Sequence, residues 1–408
     1  MTPAQALLTE LFAAAVAAAD PAHCVPPCLP PPPRGRTAVL AFGKAAASMA
    51  AAVETHWPGP LEGLAVTRDG HGLPLHRIRL LFAGHPHGDT RSAQAARGML
   101  DLAATLGPDD LALVLVSGGG SALTTLPAPG IDPASKAAVL RALLHCGAPI
   151  ADINSVRRRL SAFKGGRLAA AAAPARVHSI VISDVPGDDP ALVASGPSFP
   201  DPSPPQAAAA ILARWRIPLP DDIARHLARP ASPPVLPALS HRIAATAASA
   251  LSAAAALATR RGLRCTLLSD RLEGEARTLG SAHAALARGL VGHGPQLLLS
   301  GGETSVTVTG SGRGGRNAEY LAALALGIAG LPVTALAADT DGIDGSESNA
   351  GAHADGTTLA RARARGLDPA ALLANNDAHA LFAGLGDLIV TGPTRTNVND
   401  FRAILIES

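Results

Sequence analysis

Residues 111–121 read Leu-Ala-Leu-Val-Leu-Val-Ser-Gly-Gly-Gly-Ser, six unbroken apolar residues that stop at a serine and three glycines. A strand with one wet face alternates apolar and polar side chains. A strand buried on both faces is apolar throughout, as in parallel sheets covered by helices. Working outward, comparable runs occur at 37–42, 61–66, 79–83 and 177–183, separated by Ala-rich stretches of helical character. This pattern predicts a parallel sheet with helices on both faces, an α/β fold. Pro-rich segments at 197–205 and 230–237 interrupt it, and the domain boundary is expected near 235. Beyond it the pattern predicts helix 242–261, strand 263–268, helix 273–291 and strand 295–299. Residues 304–309, Thr-Ser-Val-Thr-Val-Thr, alternate with period two, which predicts a half-exposed antiparallel strand and a smaller, mixed second sheet. The expected division is therefore 1–235 and 236–408.

The chain has 408 residues, long enough for two cores. Only 2% of residues are aromatic, so packing must rest on small side chains and Leu/Val layers. Thirty-four Lys and Arg against 32 Asp and Glu leave a net charge of +2, which gives no field to attract nucleic acid or a membrane surface. Nucleic acid is not expected as a partner, and no apolar run is long enough to span a bilayer. The first helix carries Glu10 and lacks a basic leader, which argues against a secretory signal. Cys24, Cys28, Cys146 and Cys265 complete no metal-ligand spacing. A reducing cytoplasm is the expected location. A homo-oligomer is compatible with the sequence.

Several loops carry chemistry. Gly43-Lys44 stands where the first strand ends and a helix begins; a lysine there adds a charge for phosphate, although the Walker A spacing is absent and an ordinary surface lysine is the alternative. Ser117, Gly118, Gly119, Gly120 and Ser121 follow a buried strand, and consecutive glycines let backbone amides approach a phosphate. A second Ser-Gly-Gly occurs at Ser300-Gly301-Gly302, followed by Glu303, and suggests another backbone-rich loop. Residues 154–167 read as a helix capped by Asn154, with Arg157, Ser161 and Lys164 on one face as an anion clamp or a solvated basic face. Asp184, Asp188 and Asp189 lie at and beyond a strand end, where one of them could hold Mg²⁺. His85 and His87 are a loop pair without an organised partner set. Gly310, Gly312 and Gly315 formally satisfy G-x-G-x-x-G with Asp339 24 residues later, but the strand before them alternates and Arg313 and Arg316 would crowd a dinucleotide. The acidic loop 339–345 fails the EF-hand pattern, and the polar loop 391–400 contains Asn399.

Taken together, eight stretches closely resemble the glycerate 2-kinases with a C-terminal MOFRL domain. They are FGKAAASM, AGHPHGD, VSGGGSAL, INSVRRRLSAFKGGRLA, ISDVPGDDPALVASGP, SGGETSVTVTGSGRGGRNAEYLAALAL, DTDGIDG and TGPTRTNVND, in one order from about residue 38 to 406. The resemblance implies a Rossmann-like N-terminal domain, a smaller mixed α/β C-terminal domain of MOFRL type and catalysis in a cleft between them. It also implies that Lys44 and Arg316 are the catalytic pair. Gly88 stands where the family usually has proline, and Arg395 where it usually has glycine. Relatives are also named hydroxypyruvate reductases.

The expected reaction is transfer of the ATP γ-phosphate to the C2 hydroxyl of D-glycerate, with ATP phosphates against residues 117–121 and 301–303 and Mg²⁺ near Asp184, Asp188 or Asp189. Lys164, Arg157 and Asn399 are the expected substrate contacts. The alternatives are an NAD(P)H-dependent hydroxypyruvate reductase and a non-catalytic sugar-acid binding protein.

Overall fold

The computed structural model describes residues 1–230 and 233–407. The chain forms two compact units, one of Cys24–Ala244 and the other of Met1–His23 with Ala245–Ser408.

In the Cys24–Ala244 unit, strands β1 (Thr37–Phe42), β2 (Leu61–Arg68), β3 (Ile78–Ala83), β4 (Leu111–Val116), β5 (Arg176–Ile182) and β6 (Leu239–Ala245) form one sheet in the order β3-β2-β1-β4-β5-β6. The pairs from β3 to β5 are parallel. Every residue of β1 and β4 is buried, which is why both read as unbroken apolar runs. The order reverses between β1 and β4. In doubly wound sheets the loops leaving such a pair diverge and open a crevice at the carboxyl ends of the strands.

In the other unit, β7 (Arg264–Glu275), β8 (Gln296–Ser305), β9 (Val333–Asp339), β10 (Gly351–Asp355), β11 (Leu388–Ile389) and β12 (Asp400–Ile406) form a mixed sheet in the order β11-β10-β9-β12-β8-β7. The β7–β8 pair is parallel, whereas β12 is antiparallel to both β8 and β9. Helix Pro3–Ala18 packs here: Phe12 meets Phe401 at a ring separation of 5.7 Å, and the Thr396 hydroxyl donates to Ala19 O at 2.6 Å. Sequence order alone had grouped the first 23 residues with the N-terminal sheet.

Four local expectations differ from the structure. Residues 239–245 form an edge strand, not the start of a helix, and the helix that follows is Ala247–Arg260. The strand expected over 263–268 continues to Glu275. Residues 304–309 are not a separate strand: β8 runs through Ser300-Gly301-Gly302 to Ser305 and stops. The pattern failed because two glycines read as a loop, whereas here they let β12 and β7 approach closely. A Cβ on Gly302 would lie 2.2 Å from Leu272 N. Finally, helix Ile150–Arg159 begins after Pro149 and ends at Leu160, so Asn154 is internal and buried, not a cap. Gly165 (φ +62°) and Gly166 (φ +79°) adopt left-handed conformations that end any continuation before helix Arg167–Ala171.

Candidate active site

At the β1/β4 reversal the two expected phosphate loops are interlocked. Ser117 N donates to Phe42 O at 3.1 Å, Lys44 N to Gly118 O at 2.8 Å, and Ala45 N to Ser117 Oγ at 3.0 Å. Gly43 sits at φ +131°, and a Cβ there would fall 2.1 Å from Ser117 Oγ. Only glycine fits that approach. A Cβ on Gly119 would lie 3.0 Å from His85 Nε2 and 3.2 Å from Lys44 Cγ, so His85 and Lys44 border the same loop. The histidine pair therefore divides: His85 is at the site, and His87 is exposed.

From this loop a chain of hydrogen bonds runs inward. Ser121 Oγ and Ser195 Oγ are 2.8 Å apart, Ser195 Oγ donates to Asn154 Oδ1 at 3.2 Å, and Arg157 Nη1 donates to the same oxygen. Ala194 (φ +52°), Ser195 (φ +62°) and Gly196 (φ +61°) are consecutive left-handed residues, a strained run of the kind found at ligand sites. Beyond Arg157 lie Lys164 and Lys136, both buried. Lys164 Nζ donates to Thr124 O and Oγ1 at 3.3 Å each, and Lys136 Nζ to Leu126 O at 3.4 Å. Burial, with repulsion from Lys136 and Arg157, holds Lys164 well below the ordinary lysine range. Burial and the nearby Arg157 and Arg167 bring Lys136 to about 7. Asp184 and Asp188 are half-buried and Asp189 is exposed, with its carboxylate accepting Ala191 N at 2.9 Å. Among the described residues no three acidic, His or Cys side chains group as a metal site.

The second unit places Arg316 at the start of helix Arg316–Gly327 in a cage of carboxylates from three neighbouring strands. Its Nε donates to Asp400 Oδ1 (2.7 Å), Nη1 to Glu303 Oε1 (3.0 Å) and Nη2 to Asp339 Oδ2 (2.8 Å). Register explains the convergence, because Asp400 stands opposite Asp339 on one side and Gly302 on the other. Burial works against the charged guanidinium, but the three carboxylates outweigh it and raise its pKa further. Asp400 also binds Arg402, a fully buried arginine lying 5.3 Å over the Tyr320 ring. The carboxylate of Asp344 accepts Asn317 N (2.9 Å) and Ala318 N (2.8 Å), capping the helix, while burial pushes its pKa up to about 6. Gly301 and Gly302 lie inside β8 and form no phosphate-cradling loop; of the expected trio, Glu303 alone reaches Arg316. Asn399, at φ +64°, gives its carbonyl to Thr340 N (3.0 Å) and Oγ1 (2.7 Å), tying the 391–400 loop to the 339–345 loop.

The Gly310–Gly315 loop is not free to hold a pyrophosphate. Its amides are taken within the protein: Gly310 N by Asn376 Oδ1 (2.9 Å), Ser311 N by Asn375 Oδ1 (3.1 Å), Gly312 N by Asn375 O (2.9 Å) and Arg313 N by Asp377 Oδ1 (3.1 Å). The glycines there serve loop packing. A Cβ on Gly312 would lie 2.4 Å from Asp377 Cβ.

The chain matches two family models, a domain of unknown function designated DUF4147 over residues 7–228 and the MOFRL family over residues 296–400. It belongs to the DUF4147–MOFRL family. Within the family it is 47% identical over 414 residues to an Agrobacterium vitis protein provisionally named a hydroxypyruvate reductase, covering 99% of this chain and 94% of that one. It is 35% identical to the D-glycerate 2-kinase of Thermotoga maritima, covering 97% and 96% of the two chains. The crystal structure of a Thermotoga maritima glycerate kinase superposes with a TM-score of 0.89 at 34% identity, covering 98% of this chain and 99% of that one. The six-stranded, mainly parallel sheet and the mixed sheet, in a two-domain α/β arrangement, match that structure. Among the described residues no helix is long and apolar enough to cross a membrane.

Proposed function

We propose that this protein is a D-glycerate 2-kinase, which transfers the γ-phosphate of ATP to the C2 hydroxyl of glycerate in the cytoplasm. The observation that carries the reading is the interlock of Gly43-Lys44 with Ser117–Ser121 at the β1/β4 reversal, a rigid backbone loop with a lysine beside it. It is joined by 35% identity over nearly the whole chain to a D-glycerate 2-kinase.

In this account the 117–121 backbone receives phosphate oxygens and Lys44 supplies positive charge to the group in transfer. Arg316 is the other residue that the family resemblance gives a catalytic role. All three donor arms of Arg316 are already engaged, so it presents a fixed charge, and its bond to the half-exposed Glu303 is the one most easily exchanged for a phosphate oxygen. Mg²⁺ would supply neutralisation of the phosphate charge. One or two of Asp184, Asp188 and Asp189 suit it, because Mg²⁺ on a nucleotide needs few protein ligands when phosphates and water complete its shell. Phosphoryl transfer has a loose transition state, so charge and alignment at these residues matter more than a strong base. Arg157 and Lys164 attract the acid's carboxylate, and Asn399 steadies the loop beside the Arg316 cage.

The test is ADP formation dependent on D-glycerate, ATP and Mg²⁺, with product NMR to distinguish the 2- from the 3-phosphate. Oxidation of NADH or NADPH by hydroxypyruvate without ADP formation would replace this reading with the reductase. The internally bonded amides of residues 310–313 argue against that outcome. Saturable acid binding with no turnover of any nucleotide would leave a binding protein.

A further inference from the structure

Two buried arginines of the chain are paired with carboxylates. Arg402 has Asp400, and Arg158, on the same helix as Arg157, has Asp201 at 2.7 Å. Lys136, Arg157 and Lys164 differ. Lys136 and Lys164 are 2% and 0% exposed, and among the described residues none of the three forms an ion pair with a carboxylate. Their partners are neutral oxygens: the carbonyl of Leu126, the carbonyl and hydroxyl of Thr124, and the side-chain oxygen of Asn154. Arg157 raises the cost of charging both lysines, and Lys136 raises that of charging Lys164.

A fold that gathers three basic side chains, two of them fully enclosed, and gives them no carboxylate is poised for an anion. The location suits one. Arg157 is half-buried, whereas the lysines are enclosed, and Arg157 is linked through Asn154 and Ser195 to Ser121 of the glycine loop.

We propose that Lys136, Arg157 and Lys164 form an anion site for a small carboxylate, and that the acid binds together with a proton taken up by the lysines. Lys136 is the member that the chain's motifs do not mark. It is a further binding residue that sets the affinity for the acid. The inference rests on the kinase reading for the identity of the acid, but not for the site.

The proton linkage follows from the surroundings of Lys136 on every side. Helix Pro133–His145 carries it toward Arg157 of helix Ile150–Arg159, Lys164 of the following loop and Arg167 of helix Arg167–Ala171, all cationic. The carboxylates nearby are turned elsewhere. Asp201 takes Arg158, Asp152 takes Trp215 Nε1 and Arg214, Asp132 caps its own helix, and Asp222 accepts Asp132 N. With its ionisation brought to about 7, Lys136 is largely neutral above that pH and must gain a proton before it can hold a carboxylate.

The experiment is calorimetric titration of the full-length protein with D-glycerate, without nucleotide, from pH 6 to 9 in buffers of different ionisation enthalpy. Binding should weaken by up to about tenfold per pH unit above 7, with net proton uptake. K136M should bind at least about tenfold more weakly at pH 6.5 and lose the part of the pH dependence that sets in near pH 7. K136R should keep the affinity and also lose that part of the pH dependence, because a guanidinium stays charged. Thermal melts of both variants establish that they fold. Wild-type binding that is independent of pH, an unchanged K136M, or no saturable binding of D-glycerate or inorganic phosphate would overturn the proposal. ADP assays on the same samples separate the two readings. Turnover with an unchanged KM in K136M removes this site and spares the kinase; proton-linked binding without turnover removes the kinase and spares the site.

Discussion

Arg316 and Asp400 are 84 residues apart in the chain, yet Arg316 Nε and Asp400 Oδ1 lie 2.7 Å apart, and the same carboxylate binds the fully buried Arg402. One acid thus balances two guanidiniums. Asp400→Asn should leave both short of charge compensation, at a cost of about 3–5 kcal/mol, because breaking a buried ion pair strands its partner. Urea unfolding of the variant checks this, and a loss below about 1 kcal/mol would mean that the remaining partners of the two arginines suffice.

The cage also fixes where the Arg316 charge points. Arg316→Lys keeps the charge but cannot reach three carboxylates on three strands at once, since an ammonium lacks the planar fork. The expected result is a fall in kcat of about a hundredfold or more with little change in KM, measured by steady-state ADP formation. Lys44→Ala should behave alike while leaving the melting temperature nearly unchanged. Intact turnover in either variant removes that residue from the mechanism.

Gly43 is set by space and by conformation. With φ at +131° and Ser117 Oγ 2.1 Å from the position of a Cβ, Gly43→Ala must separate the two loops. Strained backbone of this kind costs roughly 1–3 kcal/mol, and the clash adds to it. Activity should fall further than stability, because the loop loses its alignment. Thermal unfolding compared with kcat/KM tests the difference.

Lys136 should leave a signature in stability as well as in binding. Its folded pKa of about 7 lies below the unfolded lysine value, so the unfolded chain binds more protons between roughly pH 7 and 10. Lys136 therefore contributes a rise in stability with pH across that window, and the contribution is lost as pH falls through about 7. K136M should flatten the rise and be the more stable protein near pH 6–7 when no anion is bound. Melting temperatures across that range measure it.

The parallel sheet was legible because burial on both faces leaves nothing but apolar residues, as in Leu111–Val116. Gly43-Lys44 and Ser117–Ser121 were legible for a related reason: glycines directly after such strands have few other uses. Gly301 and Gly302 misled because the same dipeptide also serves close strand approach, and only the partner strands decide which. The Arg316 cage was half visible. Asp339, Glu303 and Asp400 become neighbours only through the order β9-β12-β8, which no local pattern encodes. Lys136 carries a weaker signal. It lies in phase with Val139 and Leu143, the buried positions of its helix, and a lysine on an apolar stripe calls for a reason.

The most direct test of the central claim is a coupled assay of ADP release with D-glycerate, ATP and Mg²⁺, run beside hydroxypyruvate with NADH and NADPH. Glycerate-dependent ADP formation that yields 2-phosphoglycerate, with no oxidation of either nicotinamide, is the predicted result. Nicotinamide oxidation without ADP release would contradict the account.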